Sequence, residues 1–506
     1  MAPRNALTGT GVRLTWPGKP DGTEPTAASA TPLLTRERWP ANAVPGSPAT
    51  AQATLIAADA LPVLRAWSEG DPALPTDPVR LIYLDPPFAT GATFAADLPI
   101  GERRPGRATL RLPAYRDVWA GGMAGYLSYM FGLLVALRTV LADDGWLCVH
   151  CDHRTSAHLR LILDELFGPD AFRNEIIWSY GLGNGTSRRG FPRKHDTLLL
   201  YARSESARFT PIRGAVSSAM ANKYRHIRAD GTRFMRSYGR EYDLKGGKPV
   251  GSVWEIPSVA PTSAERTGYP TQKPLALLER LISATTAPGD TVLDPCCGSG
   301  TTLLAAARLG RTAVGIDSSP LAVATARSRL VQHGVGLDVI GPSDTATPPP
   351  SRAGCPTGGH PAGPPRRFTL TAQATLGPSD SGSTGQRLIV ALHGLSVYPM
   401  SCPRDGISPF MVQDDRLVRP GEPTVLVTRE WTDWIEGWAV QVGGDASERN
   451  RPFTAVVAVF RTGRQRSITT GLTVPITEGG VVETVAVRVY DPFGAASDHV
   501  VPVSKL

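Results

Sequence analysis

The sequence predicts an α/β fold built on a mostly parallel sheet, followed by a separate β-sandwich-like domain. Three observations predict it. Between Thr54 and Leu330, apolar runs of strand length alternate with helical segments, the pattern of parallel strands joined by crossover helices. Two of those strands, VRLIYL and DTVLDP, stop abruptly in turn-rich sequence, where open α/β sheets hold their ligands. From Arg387 onward, short β-prone runs recur between turn residues and no long helix interrupts them.

Taken in order, residues 1–50 are rich in Pro, Ala, Thr and Gly without periodicity and are expected to be disordered. The catalytic unit is expected over 51–340. VRLIYL reads as a buried strand ending at Asp85-Pro86-Pro87, YLSYMFGLLVALRTVLA as a buried helix stopped by Asp143-Asp144-Gly145, and WLCVHCD as the next strand. SAHLRLILDELF is an amphipathic helix and NEIIWSY a strand. After a polar interval come the helix KPLALLERLISATT, the strand DTVLDP, a glycine loop, the helix TTLLAAARLG, the strand TAVGID and the helix SPLAVATARSRLVQHG. Residues 341–385 read as a Pro/Gly/Ser linker and 386–506 as a β-rich accessory domain.

At 506 residues, 41% hydrophobic and 19% charged, the chain is globular and long enough for two or three domains. A net charge of +8 favours an acidic partner, either nucleic acid or an anionic membrane. Six cysteines are too few for a disulfide scaffold, so a reducing cytoplasm is expected. No apolar run of about 18 residues suggests a membrane span. Cys148, His150, Cys151 and His153 look like metal ligands, but neighbours on a strand point to opposite faces, so no metal is expected.

Two motifs carry chemistry. Asp294-Pro295-Cys296-Cys297-Gly298-Ser299-Gly300-Thr301 follows a strand and opens a helix, letting backbone approach a ligand closely. Asp294 would repel a pyrophosphate. A cationic or zwitterionic ligand suits it better, and S-adenosylmethionine carries a sulfonium and an ammonium. Asp317, ending the next strand, can accept hydrogen bonds from ribose hydroxyls. In Asp85-Pro86-Pro87-Phe88 the prolines remove two N–H donors and leave carbonyls as acceptors. A carboxylate and a carbonyl can bind both hydrogens of a ring amine and release its lone pair, while Phe88 offers a face for stacking an extruded base.

The segments LIAADALPVL, LIYLDPPF, GWLCVHCD, FRNEIIW, GYPTQKPLALLERLI, VLDPCCGSGTT and VGIDSSPLAV, in this order, resemble the permuted (beta-group) DNA amino-methyltransferases specific for adenine N6 or cytosine N4. The resemblance covers roughly residues 54–330. It implies a Rossmann-like fold dependent on S-adenosylmethionine, with Asp85, Pro86, Pro87 and Phe88 as the catalytic tetrapeptide. It implies Asp59 at the cofactor's adenine, Thr271 and Lys273 at its methionine end, and Asp294, Pro295, Gly298, Gly300, Thr301, Asp317 and Ser318 around it. An Asp in the tetrapeptide suggests adenine, since relatives acting on cytosine N4 more often carry Ser. A non-catalytic DNA- or cofactor-binding module has no need of the intact tetrapeptide.

Between Arg188 and Lys248 fifteen basic residues face five acidic ones, a local balance of +10 interleaved with aromatics. The resembled family places its target-recognition region here, about 181–265. Arg188, Arg189, Arg225, Arg228, Arg233 and Arg236 are therefore expected to contact double-stranded DNA. A nucleoid-associated, cytoplasmic enzyme with a restriction or defence partner is the expected setting. Trp178 and Tyr180 are expected either to wall the target-base pocket or to pack in the core.

Overall fold

The computed structural model describes residues 12–20, 32–41, 52–99, 109–181, 190–244 and 246–342. Beyond these it describes 368–378, 386–397, 411–413, 416–418, 426–427, 435–443, 452–461, 467–476, 482–490 and 496–505. The strands of the first part are β1 (Leu33–Trp39), β2 (Gln52–Ala57), β3 (Val79–Leu84), β4 (Thr93–Pro99), β5 (Thr109–Arg116), β6 (Leu141–Cys151), β7 (Phe172–Ser179), β8 (His195–Ala202), β9 (His226–Ile227), β10 (Arg233–Ser237), β11 (Arg240–Asp243), β12 (Val253–Glu255), β13 (Thr291–Asp294), β14 (Thr312–Asp317) and β15 (Gly336–Pro342). The helices are α1 (Ala60–Ser68), α2 (Met123–Val140), α3 (Ser156–Phe167), α4 (Ser218–Lys223), α5 (Leu275–Thr285), α6 (Thr301–Arg308) and α7 (Pro320–Gln332).

Six parallel strands in the order β6-β3-β13-β14-β2-β15 form the centre of an eleven-stranded sheet. Alternation along β3 explains the two cores. Leu81 and Tyr83 pack with Leu277, Leu281, Leu303 and Leu330 of α5, α6 and α7. Ile82 and Leu84 pack with Leu64, Tyr126, Met130, Leu134 and Leu163 of α1, α2 and α3. The sheet is thus covered on both faces, as its continuous apolar strands require. Among the described residues one helix, α2, is long and apolar enough to cross a membrane, but more than half of it is buried inside the fold. It is a core helix.

Several elements differ from the sequence reading. Disorder through residue 50 does not hold for Leu33–Trp39: β1 pairs antiparallel with β15, because Leu33 and Trp39 bury their side chains despite the low-complexity surroundings. The strand expected at WLCVHCD begins earlier, at Leu141, and Asp143-Asp144-Gly145 lie within it. The expected target-recognition region contains two strands of the main sheet. HDTLLLYA forms β8, inserted antiparallel between β6 and β7, and β12 pairs with β7. The flanking charges hid the apolar run Leu198-Leu199-Leu200-Tyr201 of β8, which is buried.

The C-terminal strands are β16 (Phe368–Pro378), β17 (Gln386–Val397), β18 (Met411–Gln413), β19 (Arg416–Val418), β20 (Leu426–Val427), β21 (Gly437–Val442), β22 (Phe453–Thr454), β23 (Val457–Phe460), β24 (Gly471–Ile476), β25 (Thr484–Tyr490) and β26 (Ala496–Lys505). Seven of them form one sheet, β23-β21-β25-β26-β16-β17-β24, around a Val- and Leu-rich core centred on Trp438. Phe368–Pro378 was expected to be linker and is instead a strand, since FTLTAQATL can pair along the whole of β17. The remaining linker residues 343–367 and 379–385 lie outside the described residues.

The boundary between the two parts is not the sparse junction that a Pro/Gly/Ser linker suggests. β22 pairs parallel with β1 and so extends the first sheet. Glu37 of β1 is buried between Arg327 Nη1 at 3.2 Å and Arg488 Nη1 at 3.3 Å, and it accepts from Tyr490 OH at 3.3 Å. The Trp39 ring packs on Phe460 and Tyr490.

Candidate active site

The motif residues collect at the C-terminal ends of the parallel strands. Asp85 leaves β3 half-buried, and its Oδ2 accepts from Lys273 Nζ at 2.5 Å. The backbone beyond the two prolines is held by a residue that sequence reasoning missed. Asp117, fully buried, accepts from the N–H groups of Phe88, Ala89 and Thr90 at 3.1, 3.0 and 2.8 Å. It also accepts from Thr90 Oγ1 and Trp119 Nε1. A buried carboxylate needs such donors, and here they fix the turn, with Ala89 at φ +56°.

A second missed residue is His150 on β6, fully buried beside the tetrapeptide. Burial, and then the charge of Asp85, push the Tyr83 phenol well above its ordinary range, so it stays protonated. Tyr83 OH therefore donates to His150 Nδ1 at 2.7 Å, leaving Nε2–H to donate to Asp196 Oδ2 at 3.2 Å. Burial opposes ionisation of Asp196, but the His150 hydrogen bond and the nearby charge of Lys273 outweigh it and lower its carboxyl pKa. The imidazole lies 5.7 Å from the Phe88 ring centroid, 5.6 Å edge-on from Trp178, and its Nδ1 is 3.8 Å from Asp85 Oδ1. His150 points away from its strand neighbours, and the polar groups that use it come from β3 and β8. Trp178 is a core residue, buried with its Nε1 on the Ile256 carbonyl. Tyr180 is half-exposed and donates to Asp196 Oδ1 at 3.4 Å.

Beside β3, β13 leads into the glycine loop. Gly298, at φ +50°, donates its N–H to Asp317 Oδ2 at 2.8 Å, and Ser319 N donates to Oδ1 at 2.9 Å. A Cβ on Gly298 would stand 3.2 Å from the Tyr269 ring. Tyr115 OH lies 3.3 Å from Thr271 Oγ1, and Thr271 itself takes φ +57°. Asp59 caps α1, accepting from Leu61 N at 3.0 Å. Ser318 is exposed.

Other expected cofactor residues brace the loop from behind. Asp294 is buried, accepting from Cys296 N and Thr302 Oγ1, and Pro295 is buried beside it. Thr301 Oγ1 accepts from Arg329 at 2.8 Å and is committed to α7. Gly300, at φ +72°, makes room for α7, since a Cβ there would meet Ala326 Cβ at 2.9 Å. The sequence reading had it admit ligand; the structure gives its missing side chain to helix packing. Lys273 likewise holds Asp85, where a ligand carboxylate was expected.

Burial, the leading cause in each case, pushes Asp294 up to about 7 and Asp317 up to about 6, and raises Asp59. Carboxyls short of positive charge suit a cationic ligand, whose charge would return them to the ionised form. Asp317 and the Gly298 cradle suit a ribose diol. The residues therefore fit S-adenosylmethionine.

In the basic interval, Arg188 and Arg189 lie outside the described residues. Arg228 pairs with Glu241 and Asp243, and Arg236 with Glu241, so neither is wholly available to phosphate. Arg225 and Arg233 are exposed and make no ion pair among the described residues.

Residues 79–328 match the N6/N4 methyltransferase family model, described as DNA methylase. The chain is 28% identical over 303 residues to the type II methyltransferase M.EcaI of Enterobacter cloacae, covering 49% of this chain and 64% of that protein. It is 30% identical over 215 residues to the type II methyltransferase M.HpaI of Haemophilus parainfluenzae, covering 42% and 62%. It is 25% identical over 264 residues to the DNA adenine methyltransferase YhdJ of Escherichia coli strain K12, covering 52% and 78%. The first two matches span just under two thirds of those relatives' length. Among solved structures, the M1.HpyAVI–SAM complex is 20% identical, covers 55% of this chain and 99% of that one, and gives a TM-score of 0.34. Through residues 79–328 the chain is thus similar to the N6/N4 DNA methylase family.

Proposed function

We propose that the chain is a site-specific DNA methyltransferase that modifies N6 of adenine in a base turned out of the duplex, using S-adenosylmethionine. The observation that carries the proposal is the Asp85–Lys273 pair. It joins the tetrapeptide that follows β3 to the Thr271–Lys273 segment, which touches Tyr115 beside the glycine-loop cradle. A nucleophile held at Asp85 is thereby brought next to the cofactor pocket, and proximity of this kind lowers a barrier substantially.

When bound, the cofactor supplies a methyl group already activated by positively charged sulfur. The chain's own task is to hold and expose the amine. Lys273 occupies Asp85 Oδ2 and orients the carboxylate, leaving Oδ1 to accept one amino hydrogen. The Pro86 carbonyl accepts the other. Phe88, backed by His150, offers its ring to the base. Asp85 also provides the site to which the amine's surplus proton can pass. Asp85, Pro86, Pro87 and Phe88 are the residues proposed to act on the base. Asp59, Gly298, Thr271 and Asp317 are proposed to hold the cofactor, with Lys273 between the two groups.

Adenine is preferred to cytosine because the tetrapeptide begins with Asp. Double-stranded DNA is the proposed partner, together with a restriction or defence protein, in the cytoplasm. Nucleoside mass spectrometry of DNA treated with the chain and isotopically labelled cofactor tests this. Labelled N6-methyladenine is expected. N4-methylcytosine would overturn the choice of base, and no labelled nucleoside would overturn the activity.

A further inference from the structure

The small sheet β9-β10-β11 stands apart from the main sheet and ends in a two-residue turn, Tyr238-Gly239. Both residues have positive φ, +48° and +74°. Hairpins favour such turns, but they favour Asn-Gly in them, because most L side chains are strained there. Tyr238 is nonetheless 100% exposed, so its ring stabilises nothing in the fold. Around it the hairpin is braced. Phe234 packs on His226 beneath the guanidinium of Arg228, and the Arg228 and Arg236 pairs to Glu241 and Asp243 tie the strands together. Arg225 just before β9, Arg233 at the start of β10 and Arg240 beside the turn are exposed on the same small sheet.

We propose that Tyr238 enters the base stack of duplex DNA, its ring stacking on a base or occupying space opened in the helix, while the exposed arginines of the same small sheet hold phosphates. This rests on the reading of the chain as a DNA-acting enzyme. A rigid hairpin that holds a strained aromatic in water matches a partner offering flat π-faces within an anionic scaffold. Aromatic stacking supplies the attraction without sequence-specific hydrogen bonds, and side chains wedged between base steps unwind the duplex.

Tyr238→Asn separates this role from folding, since Asn is the residue that the turn favours. Its melting temperature is expected to equal or exceed the wild type's. The probe is an unmethylated plasmid of mixed sequence. Three readouts are compared: methyl incorporation, affinity as a function of salt, and the linking number after relaxation by a topoisomerase with protein bound. The Asn variant is expected to bind about 5- to 150-fold more weakly, the span carried by one stacked base. Its salt slope is expected to match the wild type's, and its linking-number change to be lost. Tyr238→Trp is expected to keep both affinity and unwinding. An Asn variant with wild-type affinity and unwinding overturns the inference and assigns the tip to solvent or a protein partner. A Trp variant as weak as Asn also overturns it. If the wild type methylates the plasmid, either failure leaves the proposed function standing. A wild type that neither binds nor methylates the plasmid overturns both.

Discussion

Removing everything after Ser343 leaves the parallel sheet and all the motif residues, yet the structure predicts a damaged protein. The loss falls on β1. Trp39 is 1% exposed, packed between β15 and the rings of Phe460 and Tyr490. A buried Trp hides about 150–250 Å². Uncovering roughly half of it costs about 2–3 kcal/mol at about 25 cal/mol per Å². The pairing of Glu37 and Arg38 with Phe453 and Thr454, and the Ala455 N–H bond to the Arg38 carbonyl, are lost as well. At about 1 kcal/mol per hydrogen bond, the sum reaches about 3–5 kcal/mol. That lowers the melting temperature by on the order of 10 °C and leaves β1 as an unpaired strand edge open to self-association. Calorimetry of the truncated chain, with sedimentation for its oligomeric state, checks this. Trp39→Ala in the full chain is the companion variant, with an expected cost of about 3–5 kcal/mol. Cofactor affinity of the folded fraction should be unchanged, because the site lies at the ends of β3, β13 and β14. A truncated chain melting within about 2 °C of the full one, or a silent Trp39→Ala, would refute the reasoning.

Three further outcomes are expected. Asp317 sits up at about 6 in the folded chain against an ordinary carboxyl value of 3.8, so it binds a proton more tightly folded than unfolded. Its contribution to stability is therefore present at low pH and lost as pH rises from about 4 through 6. Cofactor affinity moves the other way, rising between pH 5 and 7, and calorimetric titration of Asp317→Asn should show that rise abolished. His150→Phe keeps a ring behind Phe88 but strands Tyr83 OH and the Asp196 carboxylate. Turnover should fall with cofactor Kd unchanged, at a stability cost of about 2–4 kcal/mol, and unchanged turnover would remove His150 from the site. Replacing Arg225 and Arg233 together by Ala should lower the salt slope of DNA binding by up to about 1.8, whereas Arg228 and Arg236, already paired with acids, should each remove less.

The parallel sheet and the tetrapeptide were legible because each depends on local sequence. VRLIYL can only be a buried strand, and two prolines can only stop it. Asp117, His150 and β8 were not legible for the same physical reason. Asp117 matters through backbone N–H groups 27 to 29 residues away, and His150 through Tyr83 and Asp196 on other strands. Their roles exist only once the sheet has assembled. Gly300 shows the converse. Its need for positive φ was readable from the loop, but whether its missing side chain admits ligand or helix depends on where α7 packs. The domain boundary misled because composition averaged over fifty residues conceals a seven-residue strand such as β1, whose partners arrive from residues 336–342 and 453–454.

The central claim is that Asp85 prepares the amine while a neighbouring pocket holds the cofactor. Asp85→Asn tests it most directly, measured in parallel for labelled methyl incorporation into DNA and for S-adenosylmethionine binding by calorimetry. Loss of one preorganised acceptor predicts a fall in transfer of about 10²–10³ or more, with cofactor affinity within about threefold of wild type. Transfer near the wild-type rate, or loss of cofactor binding equal to the loss of transfer, would contradict it.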